Sequence, residues 1–234
     1  YSKAEFTFVK QKEQLGLGHA VYKGLDHSDE PVVLVLGDAI LELDYQNFLA
    51  SFHTTIGIAH VPDPQRFGIV ELDGERIVKV WEKPDIPPSD LAIIGIYYIS
   101  SQKVLAHAVE YLIENDLRTR NEYQLTDAFD EMLKNGHNIQ AFNIEECLDC
   151  GIPDTLLSTN RKLLEQNGKS SIHSSANIVN STLSNCTISE NCRVENADLE
   201  NVIMLPGSRV AHKCLGNTIL GFGEHIIGEP EIFQ

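Results

Sequence analysis

The chain has 234 residues, with 34 acidic against 18 basic and a formal net charge of -16. A surface of that sign repels phosphate backbones and anionic membranes, which excludes nucleic acid and membrane as partners. A hydrophobic content of 42% excludes disorder and allows one sizeable domain with a smaller one.

In chain order, Glu5–Val9 is expected as a strand. Gln11-Lys-Glu-Gln-Leu-Gly-Leu-Gly-His-Ala-Val21 then reads as a glycine turn that opens a helix over His19–Gly24 and lets backbone approach a ligand closely. Val32–Leu36 is expected as a buried parallel strand delivering Asp38 to the carboxyl edge of a sheet, where α/β proteins bind ligands. Thr55–His60 is a further strand, and Phe67–Leu72 pairs with Arg76–Trp81 across an Asp73-Gly74 turn. Ala92–Ile99, apolar throughout, reads as a central strand. Helices follow over Gln102–Asn115 and Leu125–Asn135, the second closed by Gly136. Asn138–Asn143 is expected as the last strand before a Leu148-Asp-Cys-Gly151 turn, and a helix over Pro153–Gln166 stops at Gly168. These elements describe an α/β domain, Rossmann-like with a mostly parallel sheet, over residues 1–168.

Beyond Gly168 the pattern changes. Ile172, Ile178, Leu183, Ile188, Val194 and Leu199 recur at five- or six-residue steps, a period that fits neither a helix face nor a strand. It fits hexapeptide-type β-helix repeats over residues 169–234, with Asn177, Asn180, Asn185, Asn191 and Asn196 at the corners. Cys186 and Cys192 are expected as packing within that coil. A short coil exposes its ends, so homo-oligomerisation through it is expected. The cysteines form no even framework, which fits a reducing compartment, and Cys147-Leu-Asp-Cys150 alone is too little for a zinc site. No apolar run reaches the ~20 residues of a membrane helix and no signal-peptide pattern is present, so a cytoplasmic protein is expected.

Seven further segments occur in a telling order: Gln11 to Ala20, Leu36-Gly-Asp38, Asp63-Pro-Gln-Arg-Phe-Gly-Ile-Val-Glu71, Glu82-Lys-Pro84, Gly95-Ile-Tyr97, Glu122-Tyr-Gln-Leu-Thr-Asp127 and Leu148-Asp-Cys-Gly151. On them the chain resembles the sugar-1-phosphate nucleotidylyltransferases of the glucose-1-phosphate thymidylyltransferase and uridylyltransferase type with a carboxy-terminal left-handed β-helix. The resemblance implies that a nucleoside triphosphate, dTTP or UTP, is joined to a hexose 1-phosphate such as glucose 1-phosphate, releasing pyrophosphate. It implies that Asp38 and Asp149 hold Mg²⁺, each from a short loop after an apolar strand. Carboxylates suit that ion because two polyanions must be brought together. Glu82 would accept sugar hydroxyls and Lys83 would hold the sugar phosphate, so that Asp38, Lys83 and Asp149 carry catalysis. Gln11 offers a donor and an acceptor to a base edge, with Gly16 and Leu17 lining the base and sugar sites. Gly95 is expected to let the chain lie close to a sugar, with Ile93 in the same run and Tyr97 packed beside the ring. Phe67-Gly68 stands where many relatives carry Tyr-Gly, one hydroxyl fewer.

The family's Gly-x-Gly-Thr-Arg…Pro…Lys signature is not in this sequence, so the α/β domain is expected to be incomplete at its N-terminal side. Two readings stay open: an enzyme of this family, or a catalytically incomplete sugar-nucleotide-binding or regulatory subunit that acts by assembly.

Overall fold

Two sequence periods build two units. The computed structural model describes residues 3–168 and 170–229. One unit comprises the described residues up to Gly37 together with Leu41–Cys147; the other comprises Asp38–Ile40 and the described residues from Leu148 onward.

The first is alternating: α1 (Leu17–Gly24), β1 (Val32–Val35), β2 (Ala39–Glu42), α2 (Tyr45–Leu49), β3 (Thr54–His60), β4 (Gly68–Asp73), β5 (Arg76–Glu82), β6 (Leu91–Ile99), α3 (Gln102–Glu114), α4 (Leu125–Lys134), β7 (Ile139–Asn143) and β8 (Glu146–Asp149), of which residues 39–40 in β2 and 148–149 in β8 belong to the second unit. Six strands form a sheet in the order β1-β6-β3-β7-β5-β4, with an extra β4–β6 pairing, and β2 pairs with β8. The parallel character expected of this sheet resides in the β3–β7 pair; its other pairings run antiparallel, so the sheet is mixed. The hairpin β4–β5 turns at Gly74, whose φ of +64° a side chain would resist. In α4, Leu125, Ala128, Phe129 and Met132 form one buried stripe, the spacing of a single helix face. The helix ends in a Schellman motif, Gly136 N–H on the Leu133 carbonyl (3.0 Å) and His137 N–H on that of Met132 (3.1 Å). Its stripe joins Ile56, Ile58, Ile99, Leu105 and Val109 in the main core.

Three expectations change here. Val32–Leu36 is not a buried parallel strand: β1 is an edge strand antiparallel to β6, with Val33 and Val35 exposed. Apolar composition favours a strand without fixing its place in the sheet. Glu5–Val9 is irregular and Phe8 is 93% exposed; alternation provides an apolar face, but a strand also needs a ladder partner, and none is present among the described residues. Asn138–Asn143 is not the last strand either, because β8 follows and includes Asp149.

The second unit opens with α5 (Pro153–Asn167), stopped by Gly168 at φ +72°. Short strands follow: β9 (Ser171–Ile172), β10 (Asn177–Val179), β11 (Thr182–Ser184), β12 (Thr187–Ile188), β13 (Arg193–Glu195), β14 (Asp198–Met204), β15 (Arg209–Ala211), β16 (Cys214–Leu220) and β17 (His225–Ile227). All pair in parallel, making a β-solenoid. Ile178, Val194, Val210 and Ile226 stack in one column, Leu183, Leu199 and Leu215 in a second, and Ile172, Ile188, Met204 and Leu220 in a third. Successive rungs are 16 residues apart, as the hydrogen bond from Asn180 to Asn196 also records. Cys186 and Cys192 are buried in this core. Each coil turns at three left-handed corners: Asn180, Asn196 and His212; Asn185, Asn201 and Asn217; Asn191, Gly207 and Gly223. Asn177 is no corner, since it opens β10. No helix among the described residues is long and apolar enough to cross a membrane.

Candidate functional site

In the first unit the sequence-flagged residues gather at the end of β5. The Glu82 side chain is only 7% exposed, and the hydroxyl of Thr126, in the first turn of α4, donates to its Oε2 at 2.8 Å. Lys83 Nζ lies 3.6 Å from the other oxygen, Oε1. The bare face of Gly68 is packed against this corner: a Cβ there would stand 2.7 Å from Thr126 Cγ2, 3.4 Å from Ile93 Cδ1 and 3.7 Å from Glu82 Oε2, so glycine lets β4 lie close to Thr126. A largely buried acceptor with one oxygen fixed and a half-exposed cation beside it suit a polyhydroxylated anion. Phe67 contributes its carbonyl, which accepts the Lys83 N–H at 3.1 Å, while its ring packs under the Arg66 guanidinium.

Charge is concentrated around this corner. Asp127 is held above the ordinary carboxylate range, first by burial and then by the neighbouring charges of Glu82 and Asp130, against a hydrogen bond from Thr119. Asp130 lies below it: hydrogen bonds from Lys134 (2.9 Å) and Lys79 (2.7 Å) outweigh its burial.

The Gln11 segment is tied to its own helix start. Gln11 Nε2 donates to the Gly16 carbonyl at 3.1 Å and lies 3.0 Å from Nδ1 of the buried His19, and Leu17 is the first residue of α1. The bare faces of Gly16 and Gly18 are turned to chain rather than to open space. A Cβ on Gly16 would sit 2.7 Å from Glu122 Cβ, and one on Gly18 would sit 2.8 Å from the Tyr123 carbonyl. The segment is stitched there by Gly18 N–H to the Tyr123 carbonyl and Tyr123 N–H to the Leu15 carbonyl, each 2.8 Å. Gly95 likewise faces Leu36, and Tyr97 is 4% exposed with its ring 5.4 Å from Phe129. Tyr97 is therefore a core residue: its strand position points it at α4, which the motif alone does not reveal.

The second unit holds both candidate metal ligands. Asp38 sits in the turn after β1 and Asp149 ends β8, so Asp149 is not in a loop. The Cys150 N–H donates to the Asp38 carbonyl and the Gly151 N–H to Asp149 Oδ1, both at 2.8 Å. A Cβ on Gly151 would lie 3.1 Å from Asp149 Oδ1 and 3.4 Å from Asp38 Oδ2. Two carboxylates thus flank one side-chain-free position, a donor set of hard oxygens that fits a small divalent cation. Among the described residues no three His, Cys, Asp or Glu side chains form a complete metal cluster, so further ligands would be water or phosphate. Thr126 as the contact of Glu82 and Arg120 as that of Lys83 were not expected from the sequence, although Thr126 lies within Glu122-Tyr-Gln-Leu-Thr-Asp127.

The nucleotidyl transferase family model matches residues 2–166. The chain belongs to that family. A low-salt glycan biosynthesis nucleotidyltransferase of Haloferax volcanii is 34% identical over 169 residues, covering 69% of this chain and 46% of that protein. A glucose-1-phosphate thymidylyltransferase of Streptomyces antibioticus is 33% identical over 170 residues, with the same two coverages of 69% and 46%. The chain therefore spans under half the length of these nucleotidyl transferases. Among solved structures, a UDP-glucose pyrophosphorylase complexed with UDP-glucose matches with a TM-score of 0.60 and 24% identity over 70% of this chain and 68% of that one, a likeness of fold.

Proposed function

We propose that this chain serves as a sugar-1-phosphate nucleotidylyltransferase, joining dTTP or UTP to a hexose 1-phosphate such as glucose 1-phosphate. The observation that carries the reading is the convergence of Asp38 and Asp149, far apart in sequence, on the bare Cα of Gly151. Mg²⁺ held by those two carboxylates would neutralise phosphate charge. In this reading Lys83 draws in the sugar phosphate, and Glu82, with Oε2 fixed by Thr126, accepts hydroxyls of the ring. Gln11 serves the base, with Gly16 and Leu17 lining its site. A sugar-phosphate oxygen attacks the α-phosphorus in line, the bond to the β,γ-diphosphate breaks, and pyrophosphate leaves. Catalysis rests on positioning and charge stabilisation without a covalent intermediate. The reading includes a cytoplasmic setting, in keeping with five free cysteines, and assembly of copies through the solenoid, whose first and last rungs expose Ile172 and Ile227.

The test is calorimetric titration with dTDP-glucose and UDP-glucose, with and without Mg²⁺, for this chain and for Asp149→Asn. Saturable, Mg²⁺-dependent binding that the substitution abolishes supports the reading, and the preferred base names the reaction. Absence of heat from a folded sample with both ligands would sink it, and unchanged Mg²⁺ dependence in the variant would remove Asp149 from the metal.

A further inference from the structure

Lys83 lies at φ +40°, a region L-residues rarely occupy, and it precedes Pro84, a neighbour that confines the preceding residue to extended backbone. Its backbone is held from both sides. The N–H donates to the Phe67 carbonyl at 3.1 Å, and the carbonyl accepts from Arg120 Nη2 at 2.8 Å. Arg120 is itself unusual. Thr119 and Glu122 exchange two backbone hydrogen bonds of 3.0 and 3.1 Å around Arg120 and Asn121, whose φ values are +54° and +65°. Positive φ at both central residues marks a I′-type hairpin turn, for which Asn-Gly is the favoured pair. An arginine at its first central position is disfavoured by the backbone, so the side chain must compensate. Its side chain meets the Lys83 carbonyl and, more loosely at 3.8 Å, the exposed Asp85 carboxylate.

We infer that Arg120 is a positioning residue, whose guanidinium clamps the Lys83 carbonyl so that Lys83 keeps its left-handed conformation and its ammonium stays beside Glu82. Two strained residues joined by one charge-assisted hydrogen bond form a preorganised corner, the pattern that marks functional strain. The inference rests on the reading of Lys83 as the ligand of the sugar phosphate.

The test has two arms. The first records the Lys83 Cα and Cβ chemical shifts, which report the φ region, in this chain and in Arg120→Gln. The clamp predicts left-handed shifts in the first and extended ones in the second; left-handed shifts in both would overturn it. The second arm is a double-mutant cycle with Lys83→Met, reading the Kd for glucose 1-phosphate. Arg120→Gln is expected to weaken binding on the order of tenfold, and to weaken it no further when Lys83 is already Met. Additive losses would mean that Arg120 acts independently of Lys83 and would overturn the proposal. If Lys83→Met binds as well as the unaltered chain, the phosphate role of Lys83 fails, while the shift arm still decides the clamp. Arg120→Lys, which keeps the charge, replaces Arg120→Gln in both arms if the latter does not fold.

Discussion

Both units bend their backbones through the left-handed region, and they assign that conformation to different residues. In the solenoid it falls to Asn180, Asn185, Asn191, Asn196, Asn201, Asn217 and His212, with Gly207 and Gly223 completing one column. Most of these tolerate positive φ cheaply, and each corner repeats one rung later. In the sheet unit it is shared by His27, Asp116, Asn121 and glycines such as Gly74 and Gly136, and it falls besides on Lys83 and Arg120, long cationic residues for which the left-handed region costs about 1–2 kcal/mol each. Repetition with inexpensive residues is architecture; a single costly placement beside a largely buried carboxylate is the mark of a site.

The strongest way to break this comparison is at the one corner that does more than turn. Asn201 is buried, and with its amide nitrogen donating to the Leu157 carbonyl (3.2 Å) its oxygen accepts from Arg161 (3.0 Å), tying the corner to α5. Asn201→Ala removes both bonds and leaves Ala at φ +54°. A loss of about 3 kcal/mol is expected, from left-handed strain and unpaired buried groups. Urea denaturation followed by the solenoid's amide signals checks it. A loss below about 1 kcal/mol would mean the corner is only a turn.

Next in size is Lys83→Gly. Relief of strain and the entropy of glycine nearly cancel, so stability should stay within about 1 kcal/mol of the unaltered chain. Affinity for glucose 1-phosphate should nonetheless fall on the order of tenfold or more, as for loss of a hydrogen bond to a charged group. The matching change in the solenoid, Asn191→Gly, should alter neither. Equal binding by the Lys83 variant would make that corner as architectural as the solenoid's.

What the sequence disclosed follows the same division. Periodicity and local punctuation were legible: the five- and six-residue steps of the solenoid, the helix closed by Gly136 and the hairpin at Asp73-Gly74. Partners were not. Glu5–Val9 alternates like a strand, yet a ladder is a relation between segments that no single window contains. The glycines of the Gln11 segment read as room for a ligand, whereas Gly16 and Gly18 make room for Glu122 and Tyr123. Glu82 and Lys83 were flagged by the family resemblance that Glu82-Lys-Pro84 helps to carry. Thr126 lay within Glu122-Tyr-Gln-Leu-Thr-Asp127 without any sign that it meets Glu82, and Arg120, which holds Lys83, carried no signal of its own. The Asp38 and Asp149 pair was suggested only by family order, because nothing local to either predicts their common glycine.

A smaller effect separates positioning from contact. Thr126→Val keeps volume and removes the hydroxyl that fixes Glu82 Oε2. Glucose 1-phosphate binding should weaken about fivefold, the worth of roughly 1 kcal/mol for one hydrogen bond. The fold should be retained, because the valine methyl groups fill the same space beside Gly68. Full affinity in this variant would show that Glu82 is held by burial alone.

The smallest contrast is one of sign. Asp127 is held above the ordinary carboxylate range chiefly by burial, so the folded chain keeps its proton to higher pH than the unfolded chain. Its contribution therefore declines as pH rises from the ordinary carboxylate range through the raised value. Glu195 in the solenoid is held below that range by hydrogen bonds from Arg193 and, at 2.7 Å, Arg209, against an opposing effect of burial. Its contribution is present above the ordinary range and is lost as pH falls through the depressed value. Acidification should thus weaken amide-exchange protection in the solenoid and strengthen it around α4. Glu195→Gln should flatten the first response and Asp127→Asn the second. Slopes of the same sign in both units would mean that the salt-bridged carboxylate of the solenoid and the buried one beside Glu82 share an environment, and the electrostatic half of the comparison would fall.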